Sequence, residues 1–319
     1  MACEASRNQG VHELSREVVQ SHLWYLDEHP AHTNDLATHR LAGAVLLSAK
    51  IRPFPVVARQ VLTLLGDEDY RTADLEGVIM KDPALSATFL RIANSALYRG
   101  LVACESVLMA CARLGRNAVR EIVVGVATMD MFRDVKSRGA TMRNHCAGTA
   151  AIARTLADEW RLRSGDQLFL TGLLHDFGKL LCMQAGIESY DGLPPDSLDA
   201  PDRLHLIERD RLGYDHAVLG AHVLHAWKIP EPISQVVAWH HQPARAYAGG
   251  GTVGMQVALL RLADRLEYRL RHDSAPNEAV IDDLSTSDEA RHMGFSAADL
   301  RSTWQQMIDS REEVLALFR

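Results

Sequence analysis

The chain has 319 residues, enough for about two domains at roughly 150 residues each. Apolar residues make up 47% and charged residues 24%, a balance that excludes a mainly disordered chain and supplies a core. With 34 basic against 41 acidic side chains the net charge is −7, so nucleic acid and anionic membrane are both disfavoured as partners unless a local basic patch exists.

Residues 1–48 read as extra helices ahead of the first unit. Thr72 is expected to cap a helix whose first turn carries Asp74 and Glu76 and whose buried stripe is Leu75, Val78 and Ile79. Asp82-Pro83 reads as N-cap plus N1 proline of the next helix, in which Leu85, Phe89 and Ile92 keep helical spacing. Ser106 is expected to cap a short helix ending at Gly115, and Val119, Ile122, Val123 and Val126 mark a further one that reaches Met131. Short helices on tight connections predict an antiparallel bundle.

A second helical unit is expected from Thr141, with one helix holding His145 to Trp160 and another Leu168 to His175. Gly186 to Arg203, with Pro194-Pro195, reads as a loop. Asp215 is expected to cap a helix from His216 to Trp227 that Pro230 stops, and Pro232 to open the next through His241. Gln242 to Gly254 reads as a linker, Met255 to Arg271 as an amphipathic helix, and the tail as a helix around Leu300 to Phe318. No strand-length alternation occurs, so the fold class is all-α. The predicted divisions are a helical extension at 1–48, an N-terminal helical half at 49–140, a second half at 141–272 and a tail at 273–319.

No window approaches the roughly 18 apolar residues of a membrane span. Met1 to Gln20 lacks the apolar stretch of a secretory signal, and Cys3, Cys104, Cys111, Cys146 and Cys182 form no C-x-x-C pair. These features point to a cytoplasmic protein with reduced thiols.

Candidate chemistry rests on histidines accompanied by carboxylates in a particular order: His145, His175-Asp176, His216, His240-His241 and finally Asp264. A bundle core brings inward side chains from several helices to one point, which is how helical metal sites are built. Imidazole and carboxylate suit Fe, Mn, Ni, Co or Zn, and the missing cysteine pairs argue against a structural zinc knot. Asp176 is the candidate to bridge two ions, and Lys179, one turn on, would set an ammonium beside a phosphate. Singly, each histidine reads as a core or cap residue; the ordered set is what points to ligation.

Leu173-Leu174-His175-Asp176-Phe177-Gly178-Lys179 resembles the signature of the HD superfamily of metal-dependent phosphohydrolases. The superfamily's basic ligands match His145, His175-Asp176 and Asp264, and the three further histidines of its dinuclear branch match His216, His240 and His241. Upstream, Pro53-Phe54-Pro55, Asp82-Pro83-Ala84-Leu85, Asn94-Ser95-Ala96, Ser106 and Arg113-Leu114-Gly115 resemble the HDOD domain, the HD-related output domain of bacterial signalling proteins. Gly213-Tyr214-Asp215-His216, Trp227-Lys228-Ile229-Pro230 and His240-His241-Gln242-Pro243 fit the same family, and the resemblance spans about residues 49–245.

The resemblance implies an all-α fold, with an N-terminal helical subdomain packed on an HD-like one, and a regulatory role exercised through a signalling protein partner or a ligand. Its alternative implication is a metal-dependent phosphohydrolase holding one or two divalent ions, with Asp176 and Lys179 acting on a nucleotide or other phosphoester. Relatives that hydrolyse cyclic-di-GMP carry Gly-Tyr-Pro after the paired histidines, where this chain has Ala244 to Gly249, and some use a glutamate at the position of Thr141. That activity is therefore disfavoured.

Weaker patterns read as structure. Gly249 to Gly254 satisfies G-x-G-x-x-G but follows no strand, and Asp264 comes too early for a dinucleotide site, so the segment reads as a flexible linker. Asn94-Ser95 reads as inter-helix hydrogen bonding. Arg113, Arg116 and Arg120 read as a solvated helix face.

Overall fold

A computed structural model describes residues 44, 54–98, 100–131, 138–162, 165–185, 203–272 and 277–318. The expected extension at 1–48 (Ala44 apart) and the loop at Gly186 to Arg203 (Arg203 apart) lie outside them. Every regular element among the described residues is a helix, as expected. The described residues divide into two compact units, Phe54–Leu174 with Ala258–Arg319, and His175–Val257.

The first unit opens with α1 (Val56–Gly66), α2 (Thr72–Ile79), α3 (Pro83–Ala93) and α4 (Val107–Asp130). Asp82 caps α3 as its sequence demands, its Oδ1 accepting from the N–H groups of Ala84 and Leu85 at 3.0 Å each, with Pro83 at N1. Ser106 caps α4 in the same way through Met109 N, and Gly115, at φ 74°, breaks that helix where a stop was expected. Thr72 does not cap: it is already the first helical residue. The N-cap position is Arg71, which gives no side-chain cap and instead pairs with Asp74 at 2.8 Å. Leu75, Ile79, Leu85, Phe89, Ile92, Val119, Ile122 and Val126 share one buried cluster.

The three arginines of α4 are not a solvated face. All are half-buried; Arg113 donates to Val102 O at 2.6 Å, Arg116 to the carbonyls of Leu65 and Asp67, and Arg120 pairs with Glu121 at 3.0 Å. Asn94 bonds both backbone groups of Cys104, at 2.9 and 2.7 Å. Arg113 and Asn94 together pin the 100–105 loop, on which Leu101 and Val102 stand almost wholly in solvent.

The unit continues with α5 (Arg138–Glu159) and α6 (Gly165–Leu174). These cross closely because a Cβ at Gly172 would lie 2.5 Å from Ala150 Cα. Its second cluster joins Ile152, Leu156 and Leu168 to residues of the last four helices, Leu262, Leu266, Ile281, Leu284, Trp304 and Met307 among them. Those helices are α12 (Gly251–His272), α13 (Glu278–Ser285), α14 (Asp288–Met293) and α15 (Ala297–Leu317), the last opened by a capping box between Ser296 and Asp299.

Glu289 on α14 is buried against Arg261 at 2.5 Å and Arg265 at 3.3 Å. Burial alone would raise its pKa, but the two guanidiniums outweigh that and hold it below the ordinary 4.5. A carboxyl with a depressed folded pKa stabilises above its unfolded pKa, and the gain is lost as pH falls through the folded value. Glu289→Gln should therefore melt below the wild type at pH 7, with the gap narrowing as thermal scans move from about pH 5 to about pH 3. A gap independent of pH would mean the charge of Glu289 contributes nothing.

The His175–Val257 unit contains α7 (Phe177–Ala185), α8 (Leu204–Leu212), α9 (His216–Ala226), α10 (Glu231–Trp239) and α11 (Pro243–Gly249). The expected linker at Gln242 to Gly254 is instead helical on both sides of a two-residue break at Gly250 and Gly251, with φ of 62° and 68°. Pro243 starts α11, and the paired glycines supply the left-handed turn into α12. The glycine-rich pattern is thus a junction between two helices and not the flexible linker expected of it.

Candidate metal centre

The His-Asp dyad forms the two-residue turn before α7, where Lys179 N bonds back to Asp176 O at 2.9 Å. The same turn of helix brings Lys179 Nζ to 2.8 Å from Asp176 Oδ2. His175 Nε2 lies 3.3 Å from that oxygen too. The other oxygen, Oδ1, faces His216 Nε2 at 3.2 Å and His240 Nε2 at 3.9 Å.

What lets Asp176 meet His216 is the absence of a side chain between them. A Cβ on Gly178 would overlap the carbonyl oxygen of His216 and reach within 3.0 Å of Gly220 N, so α7 lies backbone to backbone on α9. His216 is the first residue of α9, whose cap Asp215 accepts from Val218 N at 2.9 Å and from Arg209 Nε at 2.7 Å. Burial disfavours the Asp215 carboxylate, yet Arg209, His216 and that N–H hold its pKa below the usual value.

His240 and His241 form the turn that ends α10, at a helix C-terminus where carbonyls point outward. His240 Nδ1 lies 2.6 Å from Val237 O. A carbonyl only accepts, so Nδ1 carries the hydrogen and the neutral ring presents its Nε2 lone pair. His241 Nε2 stands 3.1 Å from His216 Nε2. Burial, with the neighbouring His175 and His216, holds His240 neutral at ordinary pH, and burial with His240 and His216 does the same for His241. His216 is different: burial opposes its charge, but Glu208 and Asp176 outweigh it and raise its pKa to about 9.

One donor atom each from Asp176, His216, His240 and His241 lies within 4.8 Å of all the others. A first-row divalent ion about 2.0–2.2 Å from each N or O ligand sets ligand pairs roughly 3–4.4 Å apart, so the donor set fits a metal after small movements. Of the seven residues that the sequence singled out as ligands, this unit brings together five, with His175 set against Asp176 and His240. His145 on α5 and Asp264 on α12, in the other unit, face each other, Nε2 to Oδ1 3.2 Å, both buried.

Sequence reading missed two members of the surroundings. Glu208 bonds His216 through Oε2, at 2.6 Å from Nδ1 and 2.9 Å from the backbone N. His205 lies flat on His241, ring centroids 4.3 Å apart and planes 6° from parallel. Their three-residue spacing on one helix face, shortly before Asp215-His216, was the available signal.

The chain belongs to the HDOD family: the family model for the HDOD domain matches residues 51–243. Among solved structures it is similar to a protein of Shewanella amazonensis SB2B provisionally described as a phosphohydrolase, at 22% identity and TM-score 0.65 over 86% of this chain and 98% of that one. An HDOD domain protein of unknown function from Geobacter sulfurreducens matches at 21% identity and TM-score 0.61, again over 86% and 98%. An uncharacterized protein of Treponema pallidum is 22% identical over 215 residues, which is 65% of this chain but only 41% of that protein's length. At these identities the likenesses establish the all-α HDOD fold. No helix among the described residues is long and apolar enough to cross a membrane.

Proposed function

We propose that the chain is a regulatory module of bacterial signal transduction that acts by binding, and that its HD-like half holds a divalent transition metal as a structural or sensing element. Asp176, His216, His240 and His241 are the ligands, and their nitrogen and oxygen donors suit Fe, Mn, Co, Ni or Zn. When bound, such an ion supplies Lewis acidity. Around it the chain's own groups hold Nε2 lone pairs inward, through Val237 O on His240 and Glu208 on His216, while Lys179 balances the charge on Asp176.

The observation that carries this reading is closure. His175, Asp176, Lys179, His216 and His240 are each at most 2% exposed, and of the four ligands only His241 is partly exposed, so a phosphoester in solution meets none of those five. The exposed groups are elsewhere: Leu101, Val102, Leu108 and Met109 stand out around a loop that Asn94 and Arg113 hold rigid, an apolar surface suited to a protein partner.

The same donor set favours a second reading, a metal-dependent phosphohydrolase with Asp176 and Lys179 as catalytic groups and His145, His175 and Asp264 as further ligands. Protein purified without chelator and assayed with Mn, Fe or Ni on nitrophenyl phosphomonoesters and phosphodiesters separates the two. Bound metal, a raised melting temperature and no turnover are expected. Turnover that the Asp176→Ala variant lacks would replace the first reading with the second, and protein that neither carries nor binds metal would remove both.

A further inference from the structure

The helix that lies against the donor cluster meets two of its imidazoles, one through a hydrogen bond and one through a ring stack. His205, Glu208 and Arg209 occupy adjacent turns of α8. Glu208 is wholly buried and has a single chemical option toward His216: a carboxylate accepts, so His216 Nδ1 donates across 2.6 Å. The same oxygen also takes the backbone N–H of His216 at 2.9 Å, which fixes both the ring and the first residue of α9. With Nδ1 committed, Nε2 is the only atom the ring can offer, and it points at Asp176 Oδ1 and His241 Nε2. His205 meets the cluster by stacking. Its ring lies parallel to His241, so it sets the plane in which His241 Nε2 can turn. Arg209 bonds the cap residue Asp215.

We infer that α8 is the outer support of the metal centre, with Glu208 as the positioning residue that fixes the tautomer and orientation of His216 and His205 as the one that fixes the ring plane of His241. This rests on the metal-binding reading above. The physical reason is general: a carboxylate on the far nitrogen of a ligating histidine locks its tautomer, raises its basicity and removes the freedom that binding would otherwise take away. Two of the four ligands are then oriented by one helix that touches the ion nowhere. A shift of α8 by a fraction of an ångström alters metal affinity directly, which gives a sensing module a mechanical input.

The test measures Co2+ affinity by chelator competition, and the visible d–d spectrum of the Co2+ complex, on the full chain. Glu208→Gln retains an accepting oxygen without the charge and Glu208→Leu retains neither. The expected order is wild type, then Gln, then Leu, with Glu208→Leu about 10–100-fold weaker and its d–d spectrum altered. His205→Ala should weaken binding less and also change the spectrum. Leu206→Gln changes an exposed side chain of the same helix without displacing the helix, and should leave affinity and spectrum as in the wild type. In the Zn2+-loaded protein, the His216 Nδ1–H signal in 15N-edited NMR should be present in wild type and lost in Glu208→Leu. Wild type that binds no Co2+ overturns the metal reading itself. Wild type that binds, with Glu208→Leu within twofold of it or Leu206→Gln equally weak, leaves the metal centre standing and overturns the role of α8.

Discussion

Gly178→Ala is expected to lower the melting temperature by about 10 °C or more and to abolish metal binding. Added methyl groups in a tight core cost about 1–3 kcal/mol when side chains can yield, and a domain of this size loses roughly 2–4 °C per kcal/mol. Here the obstacle does not yield, because the new Cβ meets the His216 carbonyl oxygen and the backbone nitrogen of Gly220. The helices α7 and α9 must separate, and that separation is the one that carries Asp176 away from His216. Gly77→Ala is the matching control: no atom lies within 4 Å of its Cβ in α2, so it should be neutral or stabilise by about 0.5–1 kcal/mol through helix propensity. Thermal unfolding and Co2+ titration of both variants check the pair. A Gly178→Ala protein that melts like wild type and binds cobalt would show that α7 and α9 do not rely on this contact.

Gly178 also illustrates what the sequence could convey. Local signals were legible wherever one residue decides the outcome: Asp82-Pro83, Ser106 and Asp215 cap their helices because a short acceptor before a helical run has a single use. Thr72 failed by one position, since Arg71 with Asp74 already occupies the start of that helix and the hydroxyl is left inside it. The Gln242 to Gly254 stretch was misread because glycine and proline density looks like a linker, whereas Pro243 starts a helix and only Gly250-Gly251 departs from helical geometry. Arg113, Arg116 and Arg120 show the limit from the other side. Their spacing is that of a solvated face, and the backbone carbonyls that consume two of them come from the 100–105 loop and the C-terminal end of α1, whose placement no periodicity encodes. At the centre, the ligand types were legible from their order, but the turn placing His240 beyond α10 and the parallel stack of His205 on His241 depend on packing between helices.

Asp176→Asn should have two separable consequences. In metal-free protein, Lys179 would keep its buried ammonium but lose the carboxylate that it bonds at 2.8 Å. Breaking one side of a buried ion pair costs about 3–5 kcal/mol, because the remaining charge keeps its desolvation penalty without its partner. His216 would lose the anionic acceptor at 3.2 Å from its Nε2 as well, and with it part of the support for its raised pKa. In the presence of cobalt, the variant should bind far more weakly than wild type, since an amide oxygen is a poor substitute for the one anionic donor among the four. Asp176→Asn combined with Lys179→Met distinguishes the two effects. Removing both charges restores a neutral core of similar volume, so most of the lost stability should return, while cobalt affinity should stay as low as in the single variant. Stability and affinity recovering together would mean that Asp176 acts only through Lys179, and the carboxylate would then have to be struck from the ligand set.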